Sequence, residues 1–169
     1  MPQIILSLNN EDEIIVDDKI SCYLIDDDFS SDKIKNVIAT EKMVLVKGDK
    51  SLDICKKYNL DGVVKEIDVT KPVKIQLKKL REELKRKTLG VIIPARRHEA
   101  MLAGEIEPEF IAFRSCNNGK DEEVISWYNE LFLIPLAWVC ETEEIVREIK
   151  GVDFAIVDSK KLKILVDKK

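Results

Sequence analysis

Short aliphatic runs alternate with longer amphipathic stretches along the whole chain. Most of these runs are continuous in Val, Ile and Leu, which is typical of strands that are buried on both faces of a parallel sheet. The runs predict eight strands, over residues 4–7, 22–26, 43–47, 62–66, 89–93, 110–114, 135–140 and 154–158. Only between the first two predicted strands does an acidic stretch stand where a crossover helix is expected.

The stretches between the strands carry apolar residues at helical spacing. Val73, Leu77, Leu80 and Leu84 recur every three or four residues, so they form one apolar stripe along a helix. Thr142 is expected to cap a further helix at its first turn. Comparable patterns predict helices over residues 31–39, 51–58 and 97–106, and one that begins at residue 121.

An acidic residue precedes a predicted strand three times, at Asp61, Glu109 and Asp153. Each interval spans two strand–helix units, which suits a barrel in which alternate strands supply the same interior layers. We therefore predict a single domain over residues 1–169 with an α/β fold. The expected architecture is a shortened (β/α)8 TIM barrel with reduced first and last helices. An open doubly wound sheet is the alternative, since it uses the same strands and helices.

Composition and charge narrow the class of protein. The chain has 169 residues, of which 45% are hydrophobic and 36% are charged, as expected of a globular protein rather than a disordered one. The formal net charge of −4 argues against nucleic acid as a partner, and no apolar run is long enough to span a membrane. The four cysteines are scattered without a Cys-x-x-Cys pair, so we expect reduced thiols, no zinc site and a cytoplasmic location.

Three segments resemble the thiamine phosphate synthase family. They read Arg-His-Glu-Ala-Met-Leu-Ala-Gly-Glu over 97–105, Phe-Ile-Ala-Phe over 110–113 and Trp-Tyr-Asn-Glu-Leu-Phe-Leu-Ile-Pro over 127–135. Asp61 and Asp153 are similar to the acidic lead-in to strands in that family. The resemblance is strongest to divergent alphaproteobacterial members. It implies a small barrel that joins a pyrimidine diphosphate to a thiazole phosphate and releases pyrophosphate.

The resemblance also implies site residues in the loops that follow the strands. Asp49 and Asp68 are the expected Mg²⁺ ligands, because hard oxygen ligands suit this ion. Lys50 and Lys120 are expected to neutralise the charge of the leaving group. The expected partner is a small phosphorylated ligand.

One candidate anion site follows from the residues alone. Arg96 and Arg97 stand at the start of a predicted helix, whose backbone N–H groups favour negative charge.

Other loops depart from the family pattern. Asp26, Asp27 and Asp28 stand where the family has cations that bind diphosphate, and a carboxylate repels a diphosphate. Glycine is absent after the seventh and eighth predicted strands, where the family binds phosphate through backbone amides. Two functions therefore remain open: a thiamine phosphate synthase-like enzyme, and a non-catalytic barrel that binds a small molecule or a protein.

Two surface features also have two interpretations each. The basic helix over residues 71–87 would suit RNA or an acidic membrane, but no aromatic residues interleave with its charges, so a solvated outer face is favoured. Trp127, Tyr128, Phe132 and Trp138 predict core packing or, alternatively, a homodimer patch.

Overall fold

The aliphatic runs form a closed parallel barrel whose strands follow one another in chain order. The computed structural model of the protein describes residues 2–141 and 150–167. β8 closes the barrel by pairing with β1, with Ile156 opposite Ile5. The predicted (β/α)8 barrel is thereby confirmed, and the open sheet is excluded. Within the described residues the strands are β1 (Gln3–Leu8), β2 (Ile20–Asp26), β3 (Met43–Lys47), β4 (Gly62–Glu66), β5 (Thr88–Pro94), β6 (Phe110–Arg114), β7 (Leu136–Val139) and β8 (Phe154–Asp158).

Helices lie between most consecutive strands and after the last one. Over the described ranges they are α1 (Ser31–Ile38), α2 (Ser51–Tyr58), α3 (Val73–Leu84), α4 (Arg97–Gly104), α5 (Asp121–Leu131) and α6 (Ser159–Asp167). Val73, Leu77 and Leu84 of α3 are buried, so the apolar stripe is the face that packs on the barrel. The helix predicted from Thr142 lies outside the described residues. None of the helices described is long and apolar enough to cross a membrane.

The connection between β1 and β2, which is described completely, contains turns but no helix. Ile14 and Ile15 of this segment pack against the buried core. The hydroxyl of Tyr23 on β2 donates a hydrogen bond to the carbonyl of Ile15. These contacts hold residues 9–19 against the barrel at a position where other strands are followed by a helix.

Alternate residues of each strand contribute to two separate cores. One set packs against the helices and includes the buried side chains of Tyr23, Phe113 and Trp138. The other set fills the interior of the barrel, where the rings of Phe110 and Phe154 lie 6.3 Å apart. The interior residues are Ile5, Cys22, Leu24, Leu45, Val64, Ile92, Phe110, Ala112, Ala137 and Ile156.

Most of the predicted aromatic cluster belongs to the core between the strands and the helices. Tyr128 and Trp138 are 0% and 1% exposed, and both rings pack edge-on against Phe113. Tyr128 also stacks on Phe132, with ring centroids 4.6 Å apart. Core packing is therefore the correct interpretation for Tyr128 and Trp138, and the homodimer stays a prediction.

Candidate functional site

The inward-facing positions change from apolar to polar at the carboxyl end of the barrel. Leu24 is followed two residues later by Asp26, and Val64 by Glu66. Because strand side chains alternate, these polar residues face the same interior space as the apolar ones below them. They line adjoining cavities of about 320 Å³ and about 300 Å³ at this mouth. The polar residues at the strand ends are Ser7, Asp26, Lys47, Glu66, Arg114, Glu141 and Asp158.

Asp26 and Lys47 form a pair over the first cavity. They are register partners at the ends of β2 and β3, and Nζ of Lys47 lies 3.7 Å from Oδ1 of Asp26. Burial raises the pKa of Asp26 above its ordinary value, although the charge of Lys47 opposes this shift. The side chains remain 35% and 38% exposed, so a small molecule in the cavity can reach both.

Arg114 joins two carboxylates across the mouth. Its Nε donates to Oε1 of Glu66 at 3.0 Å, and its Nη1 donates to Oε1 of Glu141 at 2.6 Å. Burial lowers the pKa of Arg114, but the hydrogen bonds to Glu141 and Glu66 outweigh burial and leave this pKa raised. The guanidinium is therefore a permanent charge in a fixed orientation, as charge-assisted pairs of this kind produce.

A further ion pair lies where β8 leads into α6. Oδ1 of Asp158 accepts a hydrogen bond from the N–H of Lys161 at 2.9 Å, and Oδ2 accepts one from Nζ at 2.7 Å. Burial raises the pKa of Asp158, but these bonds to Lys161 more than compensate, so the pKa lies below its ordinary value. Cys140 lines the same cavity. Burial raises the pKa of its thiol to about 12, so it is not an activated nucleophile at neutral pH.

Asp27 occupies the start of α2. Its Oδ2 accepts a hydrogen bond from the backbone N–H of Lys50 at 2.9 Å. Its carboxyl group lies against Gly48, where an added Cβ would overlap it. Helix starts attract anions because their N–H groups are free of partners within the helix. At α2, a carboxylate of the chain itself takes that position.

The two predicted metal ligands have different surroundings in the structure. Asp49 lines the first cavity. Asp68 lies in the loop before α3 and accepts hydrogen bonds from Oγ1 and N–H of Thr70, which lower its pKa. Among the described residues, no group of three or more His, Cys, Asp or Glu side chains is arranged to hold a metal ion. Binding of Mg²⁺ by Asp49 and Asp68 stays a prediction, and no step proposed below uses it.

The predicted lysines both stand at helix starts. The N–H of Lys50 binds Asp27, as described above. The N–H of Lys120 donates to Oδ1 of Asn118 at 3.0 Å in the turn before α5. Their predicted role toward a leaving group is not tested by these backbone contacts.

The candidate anion site at α4 carries its own carboxylates. Nη2 of Arg96 lies 2.6 Å from Oε1 of Glu99, and Nη2 of Arg97 lies 3.2 Å from Oε1 of Glu123. The guanidinium of Arg97 also lies over the ring of Trp127, at 5.5 Å from its centroid. Anion binding here stays a prediction, and an anion would compete with two existing ion pairs.

Sequence reasoning missed Lys47, Glu66, Arg114 and Asp158 as residues of one site. A signal for them was present in the alternation of each strand. Two residues after the last apolar inward position, the chain carries a charge in β2, β3, β4, β6 and β8. If the alternation of inward and outward residues is continued past each apolar run, these charged residues all face inward. In a closed barrel, inward-facing residues at the same end of the strands lie close together.

Comparison with known proteins supports the fold. The chain matches no protein-family model and no curated protein. It is similar to the crystal structure of 3-hexulose-6-phosphate synthase from Salmonella typhimurium, with a TM-score of 0.61 and 16% sequence identity. The match covers 99% of this chain and 100% of that chain. At this identity the similarity shows a shared barrel fold and nothing finer.

The predicted thiamine phosphate synthase-like function is wrong. The matched structure is that of a hexulose phosphate synthase, a different enzyme. The mouth supplies the physical reason, because its charged groups are already engaged with one another. Asp27 and Asp158 occupy the starts of α2 and α6, and Arg114 is held between two carboxylates. A diphosphate would have to displace these internal contacts.

Proposed function

We propose that the chain is an enzyme that moves a proton on a small hydroxylated carbonyl compound bound in the mouth of the barrel. The observation that carries this proposal is the pair of Asp26 and Lys47, 3.7 Å apart over a cavity of about 320 Å³. That volume lies near the lower end of the roughly 300–1,000 Å³ typical of small-molecule sites. Barrel enzymes place their chemistry at this end of the strands.

Asp26 is the group that takes and returns the proton. A carboxyl whose pKa is raised toward neutral pH is a more effective general base, and burial raises the pKa of Asp26. The carboxylate removes a proton from the carbon beside the carbonyl group. The electron pair of the broken C–H bond forms a C=C bond and leaves the charge on the carbonyl oxygen. Return of the proton to carbon completes the exchange.

Lys47 stabilises the negative oxygen that forms in this step. Its ammonium group lies beside Asp26 and lines the same cavity. A fixed positive charge near a developing oxyanion lowers the energy of the transition state more than that of the ground state. Arg114 lines this cavity as well, and its hydrogen bonds to Glu66 and Glu141 fix the orientation of its guanidinium group.

The matched structure gives general support to the choice of a hydroxylated carbonyl compound as the class of substrate. The matched enzyme is named for a hexulose phosphate, and a hexulose is a keto sugar. We take from this name only the hydroxylated carbonyl class, without the phosphate group. We include in this proposal the cytoplasmic location that the scattered cysteines predict.

Exchange of hydrogen with solvent tests the proposed chemistry. The protein is incubated in D₂O with unphosphorylated ketoses of three to six carbons, and NMR follows loss of the C–H signal beside the carbonyl. We expect exchange above the buffer rate, with a loss of about 100-fold or more in Asp26→Asn and in Lys47→Met.

The matched control is Asp28→Asn, which removes an exposed carboxylate two positions away. It should exchange at the wild-type rate. Exchange no faster than buffer with every ketose, or a folded Asp26→Asn variant at full rate, would contradict the proposal.

A further inference from the structure

The carboxyl group of Asp27 is fixed by its surroundings on two sides. The N–H of Lys50 donates to its Oδ2 at 2.9 Å, and the carboxyl carbon and both oxygens lie against Gly48. Gly48 has a φ of 113°, a conformation that residues with a side chain rarely adopt. A Cβ at this position would overlap the carboxyl group. The absence of a side chain at Gly48 therefore leaves the space that this carboxylate occupies.

This carboxylate faces the cavity of the proposed reaction. Asp27, Gly48 and Lys47 are all part of its lining. Among the described residues, four carboxylates and three cations line this cavity. A phosphate dianion at the start of α2 would meet the charge of Asp27 at the same position, whereas an uncharged hydroxyl group would not.

The start of α6 shows the same arrangement on the other side of the mouth. Oδ1 of Asp158 accepts the N–H of Lys161 at 2.9 Å, and Nζ of Lys161 neutralises the carboxylate at 2.7 Å. This second carboxylate lines the adjoining cavity. Two helix starts at the mouth are thus filled by side chains of the chain rather than left for an anionic ligand.

We propose that Asp27 determines the class of substrate: its carboxylate excludes phosphorylated compounds and restricts the site to uncharged hydroxylated carbonyl compounds. The inference rests on the proposed function and names the substrate class for the same cavity. It replaces the small phosphorylated ligand that the sequence resemblance implies. Asp27 acts here as an internal anion and not as a catalytic residue, because Asp26 transfers the proton and Lys47 stabilises the negative oxygen.

Binding of inorganic phosphate provides the test. Titration calorimetry and thermal unfolding are measured with phosphate for wild type, for Asp27→Gly and for Asp28→Gly. Asp27→Gly removes both the charge and the atoms at the start of α2, while Asp28→Gly removes the same charge from the next, exposed residue. We expect millimolar phosphate to bind to Asp27→Gly at least about tenfold more tightly than to wild type and to raise only this variant's Tm.

A second variant guards against loss of folding. Asp27→Ser removes the charge and keeps a short polar side chain beside the N–H of Lys50. It should also gain phosphate binding. Competition between dihydroxyacetone and dihydroxyacetone phosphate then reports substrate class, and Asp27→Ser should shift the preference toward the phosphate ester.

Three outcomes would overturn the assignment. They are tight phosphate binding by wild type, equal gains in the Asp27 and Asp28 variants, and no gain in any Asp27 variant. Failure of the proposed reaction is separable, because it appears in the hydrogen-exchange assay of wild type. Phosphate gain in Asp27→Gly without ketose exchange in wild type would leave the role of Asp27 as an anion excluder intact and remove the proposed chemistry.

Discussion

Asp61 and Asp153 each connect three strands at the amino-terminal end of the barrel. Oδ2 of Asp61 accepts the N–H of Val44 at 2.8 Å, and the N–H of Asp61 donates to the carbonyl of Val44 at 3.0 Å. On its other side, the carbonyl of Asp61 accepts the N–H of Thr88 at 2.9 Å. Asp153 makes the corresponding contacts with Leu136 and Gln3. Asp61 and Asp153, two of the three members of the acidic repeat, therefore serve stability at the face opposite the mouth, as expected for that end of a barrel.

Removing either aspartate side chain leaves a strand N–H without its acceptor. We expect Asp61→Ala and Asp153→Ala each to lower the free energy of unfolding by about 1–3 kcal/mol, measured by urea titration. Glu109→Ala is the control, because its carboxylate forms a partly exposed ion pair with Arg81 and should cost less than about 1 kcal/mol. Equal losses in all three variants would contradict the assigned roles.

Two carboxylates at the mouth should respond to pH in opposite directions. The folded pKa of Asp26 is raised, so its ionisation reduces stability as pH rises from the unfolded value through the folded one. The folded pKa of Asp158 is lowered by Lys161, so its contribution is present above the unfolded pKa and is lost as pH falls.

Neutral variants separate these two effects. At pH 7, Asp26→Asn should be more stable than wild type, and Asp158→Asn should be less stable by up to about 1 kcal/mol. The Asp26→Asn difference should shrink as the pH is lowered toward 3.8, the ordinary pKa of an aspartate, because the folded pKa of Asp26 lies above that value. The Asp158→Asn difference should persist down to about that pH and shrink below it, because the folded pKa of Asp158 is lower still. Urea unfolding as a function of pH measures this, and a shared sign for the two variants at pH 7 would exclude the assigned environments.

At the scale of elements, the aliphatic runs and the helical spacing of apolar residues predicted the positions of most strands and helices correctly. The predicted bounds of β3, β4, β6 and β8 agree with the structure, because their apolar runs coincide with residues buried on both faces. β7 is shorter than predicted and begins at Leu136. The preceding Pro135 has no N–H, so it contributes only its carbonyl, which accepts the N–H of Ile111 at 3.1 Å. The local sequence could not show where β7 stops pairing with its neighbours, because that limit depends on contacts with other strands.

Residues 9–19 depend on tertiary contacts for their order. Tyr23→Phe removes the hydrogen bond to the carbonyl of Ile15 and should cost about 1 kcal/mol. Hydrogen–deuterium exchange should speed up in residues 9–19 while the amides of β3 stay protected. Tyr58→Phe, the same substitution at a partly buried residue of α2, is the matched control and should leave that segment unchanged.

At the scale of the whole molecule, closure of the barrel sets how its interior is filled. Phe110 on β6 projects across the position where Gly90 on β5 lacks a side chain. A Cβ on Gly90 would overlap the phenyl ring, so the small and the large residue depend on each other. The period of two predicts that both positions face inward, and the pairing of β5 with β6, in which Gly90 stands opposite Phe110, brings the ring over the glycine.

A double-mutant cycle measures this dependence. Gly90→Ala should lower the free energy of unfolding by about 1–3 kcal/mol through overpacking. In Phe110→Leu, which removes much of the ring, the added cost of Gly90→Ala should be smaller. Urea unfolding of the four proteins gives the coupling energy. Strictly additive costs would mean that the two positions do not share one space.

The sequence by itself determined the order of strands and helices and favoured a barrel over an open sheet. These depend on the spacing of apolar residues, which is a local property of the chain. Only the tertiary structure decided the site, because Arg114 meets Glu66 and Glu141 across strands that are far apart in the sequence. It also decided that Asp27 fills the start of α2. Charges pair according to distance in space, and that distance is fixed only when the barrel closes.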